Sequence, residues 1–188
     1  MLFDALVACL VVGRLAGGRV HRLASLPLRH AWLFVLGFAA QLLMLVPALS
    51  AASGWIHVFS YGPLFAGVAL NFHIRELWMA ALGLALNFSV IAANGGKMPT
   101  SAGAIRHIGR PELVNHLRDG RNPRNVLITP QSRLPMLGDR FVLPPPYPHQ
   151  PAVFSAGDVL LTLGVCALVL RGMGAFGLGP RANSQEGP

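Results

Sequence analysis

The chain has 188 residues and a mass of 20.0 kDa, is 53% hydrophobic and only 12% charged, and has a mean hydropathy of +0.53. An ordinary soluble domain is excluded, since roughly a quarter of its residues are charged, whereas the 45 residues from His30 to Ile74 hold no Asp, Glu, Lys or Arg. The net charge of +8 comes from Lys97 and 14 arginines against seven acids. These cations flank apolar runs, and no aromatic-interleaved basic stretch points to nucleic acid.

The first apolar run, from about Leu2 to Ala16, lacks the leading positive charge of a signal peptide and reads as a retained first span, closed by Gly17-Gly18. The connection that follows carries Arg19, Arg22 and Arg29 and no acid, which is a cytoplasmic signal. A second span is expected over about Ala31–Ala51, a third over His57–Phe72, and a fourth over Leu77–Gly96, between Glu76 and Lys97.

From Lys97 the composition changes. The stretch to Pro151 holds Lys97, seven arginines and ten of the chain's fifteen prolines. Within it, Ser101–Leu117 is expected as a short amphipathic helix broken at Arg110-Pro111, and Pro144–Pro148 as extended chain. A fifth span is expected over about Val153–Leu170, closed by Arg171.

The expected fold is therefore an all-α, polytopic transmembrane helical bundle of about five spans. It divides into a four-span membrane region (1–96), a Pro/Arg-rich outer segment with a short amphipathic helix (97–152), a fifth span (153–171) and a disordered tail (172–188). An odd number of spans, with the Arg19–Arg29 connection inside, places the N-terminus out and the C-terminus in.

Polar residues inside apolar spans are costly unless paired, so they are the first candidates for function. Asn87 and Asn94 share one face of the fourth span, and Gln41 is placed to meet one of them. Interhelical hydrogen bonding explains them; a ligand or ion path is the sharper alternative. In Asn94-Gly95-Gly96-Lys97-Met98-Pro99, a helix stop competes with a backbone cradle for an anionic group. Ser155 and Asp158 have the spacing of a capping box, and Asp139 has that of a turn residue beside Arg140. The alternative is that Asp139 and Asp158 share a proton and activate water. Cys9 and Cys166 lie in separate apolar runs and read as packing residues rather than a disulfide or a metal site. No metal or other cofactor is implied.

Several stretches, taken in series to about Leu170, resemble a bacterial family of multi-pass membrane proteins described only as domain of unknown function 5317. They are Gly17-Gly18-Arg19 with Arg22-Leu23, Asn87-Phe88, Asn94–Pro99, Arg133-Leu134-Pro135 with Leu137-Gly138-Asp139, and Phe154–Leu160. The resemblance implies a bacterial plasma membrane protein and no particular activity. Asp139-Arg140 and Phe154–Asp158 also look similar to the aspartyl motifs of lipoprotein signal peptidases. The chain departs from that pattern at Met136, Ser155 and Gly157, and has about five expected spans where those enzymes have four.

Three functions compete. The first is a non-enzymatic binding or structural membrane component that contacts lipid head groups, anionic ones among them, or a membrane protein partner. Its ligand-binding candidates are Asn87, Asn94, Gly95, Gly96, Lys97, Arg140 and Ser155. The second is an aspartyl hydrolase with Asp139 and Asp158 catalytic. The third is a small transporter subunit with a polar path through Gln41, Asn71 and Asn87 to Asp158.

Overall fold

A computed structural model describes residues 2–120, 122–143 and 152–177. The chain is mostly helical. Helices α1 (Leu2–Leu15), α2 (Trp32–Leu42), α3 (Ser53–Leu70) and α4 (Glu76–Ala93) come first. Strand β1 (Met98–Thr100), helices α5 (Ala102–His107) and α6 (Glu112–Arg118), and strands β2 (Asn125–Leu127), β3 (Phe141–Leu143) and β4 (Ala152–Phe154) follow, before helix α7 (Ala156–Met173).

Length separates these helices. Both α4 and α7 have 18 residues, long and apolar enough to cross a membrane, and at 1.5 Å per residue each reaches about 27 Å. Trp32–Leu45 and Pro47–Leu70 are bent by 113° at a short break and supply a third candidate if counted as one span. By length, then, the described residues contain two or three candidate spans rather than the expected five. The physical reasons are local. Helix α1 has only 14 residues, and α2 has 11 before a 3₁₀ turn and Pro47, whose ring and missing N–H end the helix.

Helices α1 to α4 and α7 pack in the order α1–α7–α4–α3–α2. The tightest seam is α4 against α7, where Gly83, Gly157 and Gly164 let the backbones touch. A Cβ on Gly157 would collide with the Asn87 side chain, and one on Gly164 with the Ala80 backbone. Small residues at a helix crossing maximise van der Waals contact where lipid offers no hydrophobic drive. Between α3 and α4 the contact is aromatic, with Phe88 5.4 Å from the rings of both Tyr61 and Phe65. Helix α2 folds back along α3, its Gly37 beneath Leu64 and its Phe34 over Gly67.

Helix α1 lies beside α7, Gly13 against Met173 and Leu170. Cys9 and Cys166 form a disulfide there, their Cα atoms 5.8 Å apart. That corrects the expectation of two packing residues: cysteines 157 positions apart in sequence become neighbours because the first and last long helices are neighbours.

Residues 98–120, 122–143 and 152–154 form a cap at one end of the bundle. Strands β1 and β2 pair in parallel, Pro99 opposite Val126, and β3 and β4 pair antiparallel, Val142 opposite Val153. The stretch from Ser101 to Leu117 is two short helices separated at Ile108–Pro111, with Ile105, Val114 and Leu117 buried together beneath them. Hydrogen bonds tie the cap to the helices: Asn94 exchanges two with the Arg133 backbone (2.8 and 2.9 Å), and Arg124 donates to the Gln41 carbonyl (2.9 Å). The His57 ring on α3 bonds the Gly96 carbonyl oxygen just after α4 (2.8 Å). At the opposite end lie Arg14, Arg19, Arg22, Arg29, Arg75 and Arg171. The expected extended chain over Pro144–Pro148 and most of the expected tail lie outside the described residues.

A candidate polar site beneath the cap

The fifth span, expected from Val153, begins three residues later: Ala152–Phe154 is strand β4, and the capping box expected at Ser155 and Asp158 starts helix α7 at Ala156. Ser155 Oγ accepts from the Asp158 backbone N–H (3.0 Å), and Asp158 Oδ2 accepts from the Ser155 N–H (3.0 Å), completing a capping box. Tertiary structure adds a third member. Asn87, from the middle of α4, donates through Nδ2 to Asp158 Oδ1 (2.8 Å) and accepts through Oδ1 from Ser155 Oγ (2.8 Å). Ser155 is fully buried and Asn87 nearly so. Glycine at 157 makes the arrangement possible, because any side chain there would occupy the Asn87 amide.

Asp139 is held differently. Its backbone bridges to the β1 segment: its N–H donates to the Pro99 carbonyl (2.9 Å), and its carbonyl accepts from the Ser101 N–H (2.9 Å). Oδ2 accepts from Asn125 Nδ2 (3.0 Å) and Thr100 Oγ1 (3.3 Å), and Asn125 Nδ2 also reaches Thr100 Oγ1 (2.9 Å). The residue is 9% exposed. Burial pushes its carboxyl up to about 7, and the charge of Asp158 adds to the rise, while the hydrogen bonds from Thr100 and Asn125 pull it back down.

Each aspartate opens onto its own cavity. One of about 300 Å³ lies between the helices, with Asp158, Asn87, Gln41, Tyr61 and Thr162 among apolar walls that include Leu2 and Phe38. Thr162 Oγ1 is buried without a hydrogen-bond partner. A second cavity, of about 250 Å³, runs under α5 and α6, with Asp139, Thr100 and Asn125 at one end and Ile105, Leu113 and Leu117 along its sides.

The remaining candidates separate. Gly95 and Gly96 adopt positive φ (66° and 83°), and the N–H groups of Gly96 and Lys97 are engaged by the carbonyls of Ile91 (2.8 Å) and Asn94 (3.3 Å) as α4 ends. Lys97 Nζ bonds the Gly120 carbonyl (3.3 Å). Arg140 is exposed, and its N–H donates to the Phe154 carbonyl (3.1 Å). Asn71 is fully buried at the other end of the bundle, bound to the Arg29 backbone and the Gly67 carbonyl. On the stretches of α3 and α4 between the levels of these two residues, Leu64, Val68, Leu77 and Leu84 are buried apolar side chains.

Thr100, Asn125, Tyr61 and Thr162 were not visible as site residues in the sequence. Thr100, Asn125 and Asp139 share no spacing, and only the pairing of β1 with β2 and the bridge to Asp139 unites them. Among the described residues, no group of three His, Cys, Asp or Glu side chains has the placement to hold a metal ion.

A helical chain with two or three helices fit to cross a membrane, and a polar cluster closed over by a small mixed cap, defines the class. Residues 25–170 match a family of unknown function (DUF5317), and the chain belongs to that family. No curated protein and no solved structure matches it. The likeness to lipoprotein signal peptidases has no counterpart in these matches.

Proposed function

We propose that the protein is a non-enzymatic component of the bacterial plasma membrane that binds a lipid through the chamber between its helices. In this reading α1 and α2 are shorter, tilted crossings, α1, α2, α3, α4 and α7 alternate in direction, and the cap faces outward. The observation that carries the proposal is the chamber's lining. A polar edge of Asp158 and Asn87, bonded to each other and to Ser155, and the unpartnered Thr162 hydroxyl stand among apolar walls, and Leu2 of α1 and Phe38 and Gln41 of α2, the two ends of the helix row, line the same chamber. A head group that donates hydrogen bonds, entering sideways from the bilayer, suits such a lining better than a phosphate alone. The same surface suits a helix of a membrane protein partner less well, because the cavity is small and closed above by β4.

The test is native mass spectrometry of the full chain released from nanodiscs of mixed lipids. Retention of an amine- or hydroxyl-headed lipid over phosphatidylcholine is expected. Thr162→Val is expected to reduce that retention while leaving stability equal or higher, since it removes an unpaired buried hydroxyl. A chamber that retains no lipid in the unaltered chain would end the proposal.

One observation favours a second reading, an aspartyl hydrolase. Burial, with the charge of Asp158 adding to it, pushes the Asp139 carboxyl up to about 7, so Asp139 can hold a proton at neutral pH beside a second carboxyl. Against it, both oxygens of Asp158 are engaged by Asn87 and Ser155, and the two carboxyls line different cavities. Hydrolysis of a membrane-anchored peptide or ester with a bell-shaped pH profile, lost in Asp139→Asn and in Asp158→Asn, would establish it. Turnover independent of pH would dispose of it.

A further inference from the structure

The end of the molecule away from the cap carries an independent feature. A cleft of about 250 Å³ lies between the 3₁₀ turn Val20–Ser25, the α3–α4 connection and the last turns of α7. Arg22, Arg171, His73 and Ser25 line it, and Leu26, Ile74 and Leu168 pack together as its floor. Its walls are firmly built: the Arg19 N–H donates to the Met173 carbonyl (2.9 Å), and Ser25 Oγ to the Arg22 carbonyl (2.7 Å). Glu76 is the one acid in the lining, and a single nitrogen of Arg171 holds both of its oxygens (2.6 and 2.8 Å).

The surroundings fix both the charge and the depth. Arg14, Arg19, Arg29 and Arg75 stand at the same end, and between Asp4 and Glu76 the sequence has no acid. Trp78, in the first turn of α4 at the same end, is half exposed and stacked on Phe72 at 5.3 Å, with its indole N–H donating to the Phe72 carbonyl (2.8 Å). An amphipathic ring held in that way marks the level of lipid head groups.

We infer that this cleft is a binding site for the phosphate head of an anionic phospholipid of the inner leaflet. The phosphate lies between Arg22, Arg171 and His73, and the first acyl carbons lie on Leu26 and Leu168. Arginine forks match phosphate oxygens in pairs, and basic pockets between helices at the cytoplasmic interface take such heads. The site rests on the reading of α4 and α7 as spans but not on the lipid chamber beneath the cap, which is at the other end. Thr162→Val therefore leaves it unchanged, and either site can fail without the other.

The experiment uses the full chain in nanodiscs containing equal phosphatidylglycerol and phosphatidylcholine, read by native mass spectrometry after release. Preferential retention of phosphatidylglycerol is expected, reduced about fivefold by Arg22→Gln and again by Arg171→Gln, at roughly one such factor per arginine. Arg14→Gln, at the same end but outside the cleft, leaves retention unchanged, and Glu76→Gln strengthens it. Should Arg22→Gln fail to fold, Arg171→Gln and Glu76→Gln carry the same test. Equal retention of the two lipids, or a loss in Arg14→Gln as large as in Arg22→Gln, overturns the site in favour of a diffuse basic surface. Inorganic phosphate that protects the lipid-free chain against heat as well as phosphatidylglycerol does at equal concentration overturns the assignment to a phospholipid.

Discussion

Asp158 and Asp139 sit close enough for the charge of one to act on the other, yet opposite kinds of structure hold them. Asp158 belongs to a local motif: it caps the helix that it begins, and Asn87 from α4 completes a ring in which both carboxylate oxygens accept hydrogen bonds. Asp139 has no local motif. Residues 39 and 14 positions away in sequence supply its side-chain partners, and the β1 strand supplies partners for its backbone. The first arrangement gives each carboxylate oxygen a donor and fastens two helices together. The second buries a carboxyl more thoroughly than it pairs it, and its proton affinity rises.

The contrast can be broken most severely at Gly157. A side chain there displaces the Asn87 amide and meets the α4 backbone, so Gly157→Val should destroy the α4–α7 seam. Overpacking alone costs about 1–3 kcal/mol, and the lost ring of hydrogen bonds adds to it. Loss of monodisperse protein in detergent is the expected result, and a normal thermal transition would show that the seam is looser than described.

Asp139→Asn sharpens the comparison through pH. An unfolded Asp titrates near 4 and the folded carboxyl at about 7. The folded state therefore binds more protons across that window, and this group's contribution to stability is full below about pH 4 and is lost as pH rises through about 7. Three pH units correspond to something on the order of 4 kcal/mol. Thermal unfolding of the unaltered chain should weaken from pH 5 to pH 8, and Asp139→Asn should flatten that slope, whereas Asp158→Asn should not flatten it fully. An unchanged slope in Asp139→Asn would remove the buried-carboxyl account.

A smaller effect is expected at Ser155. Ser155→Ala removes the cap of α7 and one partner of Asn87, a loss of about 1–2 kcal/mol by the usual worth of an N-cap, read as a lowered midpoint of unfolding with the pH slope retained. The smallest is at the far end of the same helices. Arg171 is half exposed where it meets Glu76, and exposed ion pairs contribute at most about 1 kcal/mol. Arg171→Gln should barely move the thermal midpoint, and a shift comparable to that of Ser155→Ala would mean that the pair is a structural clamp rather than part of a lipid cleft.

The sequence by itself determined the apolar, helical character of the chain, the stop after α4, and the capping box that starts α7. Each depends on residues within a few positions of one another: a run free of charge, Gly95-Gly96 followed by Pro99, Ser155 three before Asp158. It also separated a Pro/Arg-rich stretch from the rest, because composition is local too. Helix length was less legible, since Pro47 and the 3₁₀ turns shorten α2 within a stretch that hydropathy alone reads as continuous. Only the tertiary structure decided that Cys9 meets Cys166, that Asn87 closes the ring around Asp158, and that Thr100 and Asn125 bind Asp139. Those contacts require the first helix to lie beside the last and β1 to reach both β2 and Asp139. Packing of whole elements sets such neighbours, and no spacing along the chain records them.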